Sequence, residues 1–202
     1  VNTDMETDQY PYNDEMEGMT HVYYIKWLDE VEYEQDEEGN YIHEWATEDL
    51  TSEEDTHWHI EPVKCGRYNV LACGYWDDYG NYLYGDGWDE AVQPCDAPWD
   101  LSLAEGVVLE FDYCAEIEAG YDFIYVEISD DNGQTWEPIW SYTGISPDCW
   151  THVEIPIYSE DLSDQWLFRF RFVSDESGHS SGIFIDNVIL EEIHADYVEP
   201  YD

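Results

Sequence analysis

One carboxylate lies where the residue pattern predicts apolar packing. Residues 181–190 read SGIFIDNVIL, and their alternation predicts a strand that is buried on both faces. Asp186 lies in the middle of one face. In this prediction the apolar residues divide by parity, with Phe184, Val188 and Leu190 on the face of Asp186 and Ile183, Ile185 and Ile189 on the other. The chemistry that follows depends on what neutralises this carboxylate.

A buried carboxylate costs several kcal/mol unless a proton, a cationic side chain or a metal ion neutralises it. The sequence has only five Lys and Arg residues, so a salt bridge is disfavoured by count, and Arg169 and Arg171 in the preceding strand are the nearby candidates. Hydrogen bonds from loop amides are the other alternative. We predict a calcium ion at Asp186.

A Gly-rich loop offers further oxygen ligands. The segment YWDDYGNYLYGDGWDEAV contains Asp77, Asp78, Asp86, Asp89 and Glu90. Calcium takes about 6–8 oxygen ligands, so such a loop suits it, although no EF-hand pattern is present. The alternative is a solvated acidic loop.

The same loop contains four aromatic residues that form a candidate sugar-stacking platform: Trp76, Tyr79, Tyr82 and Tyr84.

Catalytic motifs are absent. No G-x-S-x-G pattern occurs, and HEWAT, residues 43–47, lacks the second histidine of a zinc-protease helix. Since fifty Asp and Glu residues single out no glycosidase pair, we predict a protein that is not an enzyme.

The charge of the chain limits its partners. Fifty acidic residues against five basic ones give a formal net charge of -45, which excludes nucleic acid and anionic membranes as partners. Such an excess usually marks disorder, but 43% hydrophobic and 17% aromatic residues predict a folded core. The sequence has no transmembrane run. Its five cysteines lack CxxC spacing, which disfavours zinc and favours one or two disulfides in a secreted protein, with one thiol left over.

The elements that position these residues are predicted to be strands. Six alternating segments follow Val107, and no amphipathic helix appears, so we predict an all-β fold, an antiparallel β-sandwich of the jelly-roll type. We divide the chain into an acidic extended arm at 1–20 and a single domain at 21–202, which begins with an added hairpin at 21–42. Between Trp58 and Gly87 we expect long loops. SDDNGQTW, residues 129–136, matches the Asp-box turn, for which we predict a structural role.

Several motifs together resemble the MAM-like jelly rolls of secreted microbial proteins. These include the C-terminal domain of immune-inhibitor-A metallopeptidases, the cleaved-adhesin modules of gingipains and "choice-of-anchor" domains. The resemblance covers about residues 43–193 and depends on WHIEP, ACG, YGN, GWDE, YDFIYVEISDDNGQTW and SDESGHSSGIFIDNV in this order. It implies a non-catalytic domain that binds Ca²⁺ through Asp186, through Asp89 and Glu90, and through a first-strand acid, for which we prefer Glu48 to Glu44.

We therefore expect an extracellular, calcium-binding structural or adhesive module at a cell surface. Its partner would be a second copy of itself in a homo-oligomer or filament, through the acidic arm, or a cell-surface glycan or protein. The alternative is a carbohydrate-binding module that uses the aromatic platform.

Overall fold

The computed structural model describes residues 26–27, for which only the backbone is considered, together with residues 45–51 and 56–193. The predicted arm at 1–20 lies outside these residues. So does the hairpin at 21–42, except for the two residues of the first strand. Among the described residues, no helix is long and apolar enough to cross a membrane.

Thirteen strands and one short 3₁₀ helix make up the described part of the chain. The strands are β1 (Lys26–Trp27), β2 (Trp45–Asp49), β3 (Trp58–Lys64), β4 (Arg67–Cys73), β5 (Tyr75–Trp76), β6 (Tyr82–Leu83), β7 (Asp89–Pro94), β8 (Gly106–Glu116), β9 (Phe123–Ser129), β10 (Glu137–Tyr142), β11 (Thr151–Tyr158), β12 (Leu167–Val173) and β13 (Gly182–Glu192), and the 3₁₀ helix is Ser159–Asp161.

Two antiparallel sheets form the fold, which confirms the predicted β-sandwich. The first sheet has the order β11-β8-β13-β4-β3, and β1 also pairs with β13. The second sheet has the order β10-β9-β12-β7-β2, and β5 and β6 form a separate hairpin. The six strands predicted after Val107 are all present.

The core lies between the two sheets and is rich in aromatic rings. β12 shows how the sequence produces it. Phe168, Phe170 and Phe172 are fully buried in this core, whereas Arg169 and Arg171 alternate with them and point to the outer face of the second sheet. Edge-to-face contacts between the rings, such as Phe111 with Phe170 at 5.1 Å, fill the layer.

A β-bulge in β13 corrects the predicted faces of the strand. The pairing with β8 shifts between Asp186 and Ile189, and Asn187 adopts a positive φ of 52°. The extra residue reverses the parity, so Val188 joins the inner core instead of the face of Asp186. Leu190 moves with it and packs in the same core as Ile183 and Ile185. Asp186 is left on the outer face of the first sheet.

Two further expectations have different outcomes. The segment from Trp58 to Gly87 contains four strands, β3 to β6, and so the prediction of long loops was wrong. The turn predicted from the Asp box is confirmed. Asp131 accepts hydrogen bonds from the Thr135 amide at 2.8 Å and the Thr135 hydroxyl at 2.7 Å, which lower its pKa, while Gly133 has a φ of +77° and the Trp136 ring lies against it.

Candidate functional site

The β5–β6 hairpin presents a pair of aromatic rings on one face. Trp76 and Tyr82 lie directly opposite each other across the hairpin, with ring centroids 5.3 Å apart and planes nearly perpendicular. The Trp76 side chain is 58% exposed, whereas Tyr82 is half-buried and packs on Phe184 of the first sheet. One ring is thus held by the protein and the other faces solvent beside it.

Polar contacts below the rings fix their orientation. The Trp76 indole Nε1 donates a hydrogen bond to Glu61 Oε2 at 3.1 Å, and Glu61 is itself buried. The Tyr82 hydroxyl lies 3.3 Å from His59 Nε2, which also contacts Glu61 Oε2 at 3.4 Å. Burial raises the pKa of Tyr82, so its hydroxyl stays protonated and can donate.

The turn of the hairpin is ordered by one carboxylate. Asp77 accepts hydrogen bonds from the amides of Tyr79 and Asn81 and from the Asn81 side chain at 2.7–2.9 Å. These bonds lower the pKa of Asp77, which keeps the cap ionised. Tyr79, at the tip, is 91% exposed.

Tyr84 does not belong to the platform, which corrects the predicted set. Its side chain is 1% exposed and packs edge-to-face on Phe172 in the core. Its hydroxyl donates a hydrogen bond to the buried carboxylate of Asp122. A ligand cannot reach this ring. The tyrosine follows β6, where the chain turns into the core, and the Gly-rich composition did not show this change of direction.

The neighbouring β3–β4 hairpin carries two more exposed apolar side chains. Val63 and Tyr68 pair across the two strands, and both are more than half exposed. Their neighbours Lys64 and Arg67 contact Phe184 and Asp186 on the outer face of the first sheet, and Asn69 interrupts the strand with a φ of 56°, so alternation directs Val63 and Tyr68 to the face opposite Glu61. Sequence analysis missed them, although the alternation in WHIEPVK was the available signal.

Behind the hairpin lies a second, half-exposed aromatic group that the sequence analysis also missed. The His57 ring stacks on Trp88 with centroids 3.9 Å apart, and Tyr75 is tilted against both. His57 Nδ1 lies 2.6 Å from Glu90 Oε1. Glu90 also accepts hydrogen bonds from the His57 amide and from the Cys73 thiol.

Asp186 has a cationic partner that sequence reasoning passed over. Arg67 Nη1 lies 3.0 Å from Asp186 Oδ2 and 2.7 Å from Asp112 Oδ2, and the two aspartates are paired across β13 and β8. Arg169 and Arg171, the cations that we considered, lie on the other sheet and bind Glu127 and Asp89 instead. The assumption that a salt bridge was disfavoured was therefore wrong.

The other predicted calcium ligands do not meet Asp186. Asp89 and Glu90 are neighbours in β7, so their side chains point to opposite faces of the second sheet. Asp89 forms a bidentate pair with Arg171 on the outer face, whereas Glu90 points inward to His57. Glu48 is exposed on β2, and Asp186 lies on the outer face of the first sheet. These four carboxylates do not fit one calcium ion, and calcium binding itself stays a prediction.

Comparison with known proteins gives the fold. No family model matches the sequence, and no curated protein matches it. Among solved structures, the arabinose-bound MgGH51 α-L-arabinofuranosidase has a TM-score of 0.50 at 10% identity, over 84% of this chain and 26% of that chain. The K2 cleaved adhesin domain of Lys-gingipain has a TM-score of 0.48 at 14% identity, over 85% and 100%.

A family 29 carbohydrate-binding module from Piromyces equi has a TM-score of 0.45 at 10% identity, over 88% of this chain and 94% of that chain. A cleaved adhesin domain and carbohydrate-binding modules are thus among the similar structures. At these identities, the likeness shows the β-sandwich fold alone.

Proposed function

We propose that this protein is a non-catalytic, extracellular carbohydrate-binding module that binds glycan on Trp76 and Tyr82. One observation carries the proposal. A large aromatic side chain, Trp76, is more than half exposed, yet its indole nitrogen is hydrogen-bonded to a buried carboxylate and its ring is braced by a neighbour. An exposed apolar patch is typical of a recognition surface, and Trp76 and Tyr79 are both exposed on this hairpin.

A sugar ring that stacks on Trp76 buries the large apolar surface of the indole. The apolar C–H face of a pyranose covers the ring, while its hydroxyl groups remain free to bond to polar neighbours. Tyr82 and His59 supply those neighbours beside Trp76. Because the platform is already ordered by Glu61 and by the Asp77 cap, little side-chain entropy is lost on binding.

The acidic surface selects the class of glycan. A net charge of -45 repels uronic-acid and sulfated polysaccharides, so the ligand is a neutral or amino-sugar glycan. The disulfide between Cys65 and Cys149 supports an extracellular setting.

The test is affinity electrophoresis against a panel of neutral, amino-sugar and acidic polysaccharides, followed by calorimetry on the best ligand. Trp76→Ala should weaken binding at least tenfold, which is about 1.4 kcal/mol. Trp76→Phe should retain part of the affinity, because a ring remains. Tyr121→Ala is the matched control, since Tyr121 is exposed to a similar extent in the β8–β9 connection.

Retention of full affinity in Trp76→Ala, or equal losses in Trp76→Ala and Tyr121→Ala, would contradict the platform. Binding to none of the neutral and amino-sugar polysaccharides would contradict the function.

A further inference from the structure

Three of the five cysteines meet on the outer face of the first sheet. Cys65 lies in the turn between β3 and β4, and Cys149 lies in the connection before β11; a disulfide joins them, with Cα atoms 6.3 Å apart. Cys114 lies on β8 as a buried free thiol, packed with Phe184. The three sulfur atoms all lie within 4.8 Å of one another.

We propose that this cluster is a thiol–disulfide exchange site, in which Cys114 attacks the Cys65–Cys149 disulfide and releases the thiol of Cys149. A bond forms between the sulfurs of Cys114 and Cys65, and the bond between Cys65 and Cys149 breaks. Its electron pair leaves on Cys149, which takes up the proton that Cys114 lost. The exchange needs no external oxidant or reductant, because the number of disulfides and thiols is unchanged.

The backbone around the cluster indicates which sulfur leaves. Cys65 and Gly66 are the only residues between β3 and β4, so Cys65 is held in a tight hairpin turn. Cys149 lies exposed in the longer connection between Tyr142 and Thr151. A disulfide between Cys114 and Cys65 therefore joins β8 to the tight turn and leaves Cys149 as the free thiol on the longer loop.

The surroundings of Cys114 determine how fast it reacts. Burial against Phe184 raises its pKa, and Glu116 acts in the same direction, whereas Lys64 and a hydrogen bond with Ser146 favour the thiolate. Burial is the largest effect, so most of the thiol is protonated at neutral pH. Because the thiolate is the nucleophile, the exchange is slow at neutral pH and accelerates as the pH rises.

The other described thiols are not placed for this reaction. Cys73 is buried on the inner face and donates a hydrogen bond to Glu90, and Cys95 lies exposed after β7. Neither joins the three-sulfur cluster. The exchange changes which thiol is exposed. The buried thiol of Cys114 becomes part of the disulfide, and the thiol of Cys149 appears on an exposed loop, where it is open to modification or to a disulfide with another molecule.

The experiment labels the folded protein with iodoacetamide over time, quenches in acid and locates labels and disulfides by peptide mass spectrometry without reduction. Label should accumulate on Cys149 together with a Cys65–Cys114 linked peptide, faster at higher pH. In Cys114→Ser, labelling of Cys149 should fall at least tenfold. Cys95→Ser is the control, and it should leave the labelling of Cys149 unchanged.

A second variant tests the geometry without kinetics. In Cys149→Ser, equilibrated in a glutathione redox buffer and shown by circular dichroism to be folded, Cys65 and Cys114 should form a disulfide. The proposal is wrong if Cys149 stays unlabelled while Cys95 is fully labelled, or if Cys114→Ser labels at the wild-type rate. It is also wrong if Cys65 and Cys114 both remain thiols in folded Cys149→Ser.

Discussion

Removal of Arg67 should destabilise the first sheet. It is the cation between Asp112 and Asp186, two buried carboxylates that face each other on neighbouring strands. Arg67→Met keeps most of the side-chain length but removes the charge. Directly opposed like charges on a sheet are destabilising, and here both would be left without the guanidinium.

The magnitude follows from the burial of the three side chains. Breaking a buried ion pair by removing one partner costs about 3–5 kcal/mol. The aspartate side chains are 11% and 7% exposed, but Arg67 is 29% exposed, so we expect the lower end, about 3 kcal/mol. With a urea dependence of about 2 kcal/mol per M, the unfolding midpoint should fall by about 1.5 M.

The loss of stability in Arg67→Met should depend on pH. In the wild type, burial would raise the pKa of Asp112, but hydrogen bonds from Asn187, Arg67 and His152 lower it below its usual value. The stability that ionised Asp112 contributes is therefore kept above about pH 4 and lost only below it. In Arg67→Met one of the two aspartates should have a raised pKa instead. The folded variant then binds more protons than the unfolded chain, and its deficit should shrink from pH 7 towards pH 4.

The assay is urea unfolding followed by Trp fluorescence at several pH values. Arg67→Met/Asp186→Asn is the matched control, because it removes one of the two opposed charges and should recover part of the loss. A midpoint for Arg67→Met within about 0.2 M of the wild type would refute the argument, since it corresponds to less than about 0.5 kcal/mol. A deficit that does not depend on pH would refute it as well.

Four further outcomes are expected. If calcium binds at Asp186 as the resemblance implies, EDTA lowers the melting temperature, calcium restores it and Asp186→Asn removes this shift. An equal melting temperature with and without calcium would contradict the calcium site and leave Arg67 as the cation that neutralises Asp186. Tyr84→Phe should destabilise by about 1–3 kcal/mol in urea unfolding, because buried Asp122 loses a donor. The hydrogen bond with Asp112 raises the pKa of His152, so the difference in midpoint between wild type and His152→Gln should be full below about pH 6.5 and vanish above the raised value. Added NaCl should raise the midpoint of the wild type, because it screens a net charge of -45; a midpoint that falls with salt would contradict this.

Local patterns in the sequence predicted the later strands and one turn correctly. The alternation after Val107 predicted six strands that are present, and the spacing of the Asp box predicted a turn that Asp131 organises. Trp76 and Tyr79, which the sequence placed in a Gly-rich loop, are exposed. These features depend on residues close together in the chain, for which two-residue periodicity and turn chemistry are sufficient.

The sequence by itself determined the fold class, the acidic surface and the presence of an anomalous carboxylate at Asp186. Only the tertiary structure decided its partner, because Arg67 is 119 positions away along the chain and reaches it across the first sheet. The bulge at Asn187 similarly moved Val188 to the core, a change of one residue that reverses every later side chain. Contacts between distant segments depend on strand order and register, which periodicity does not encode.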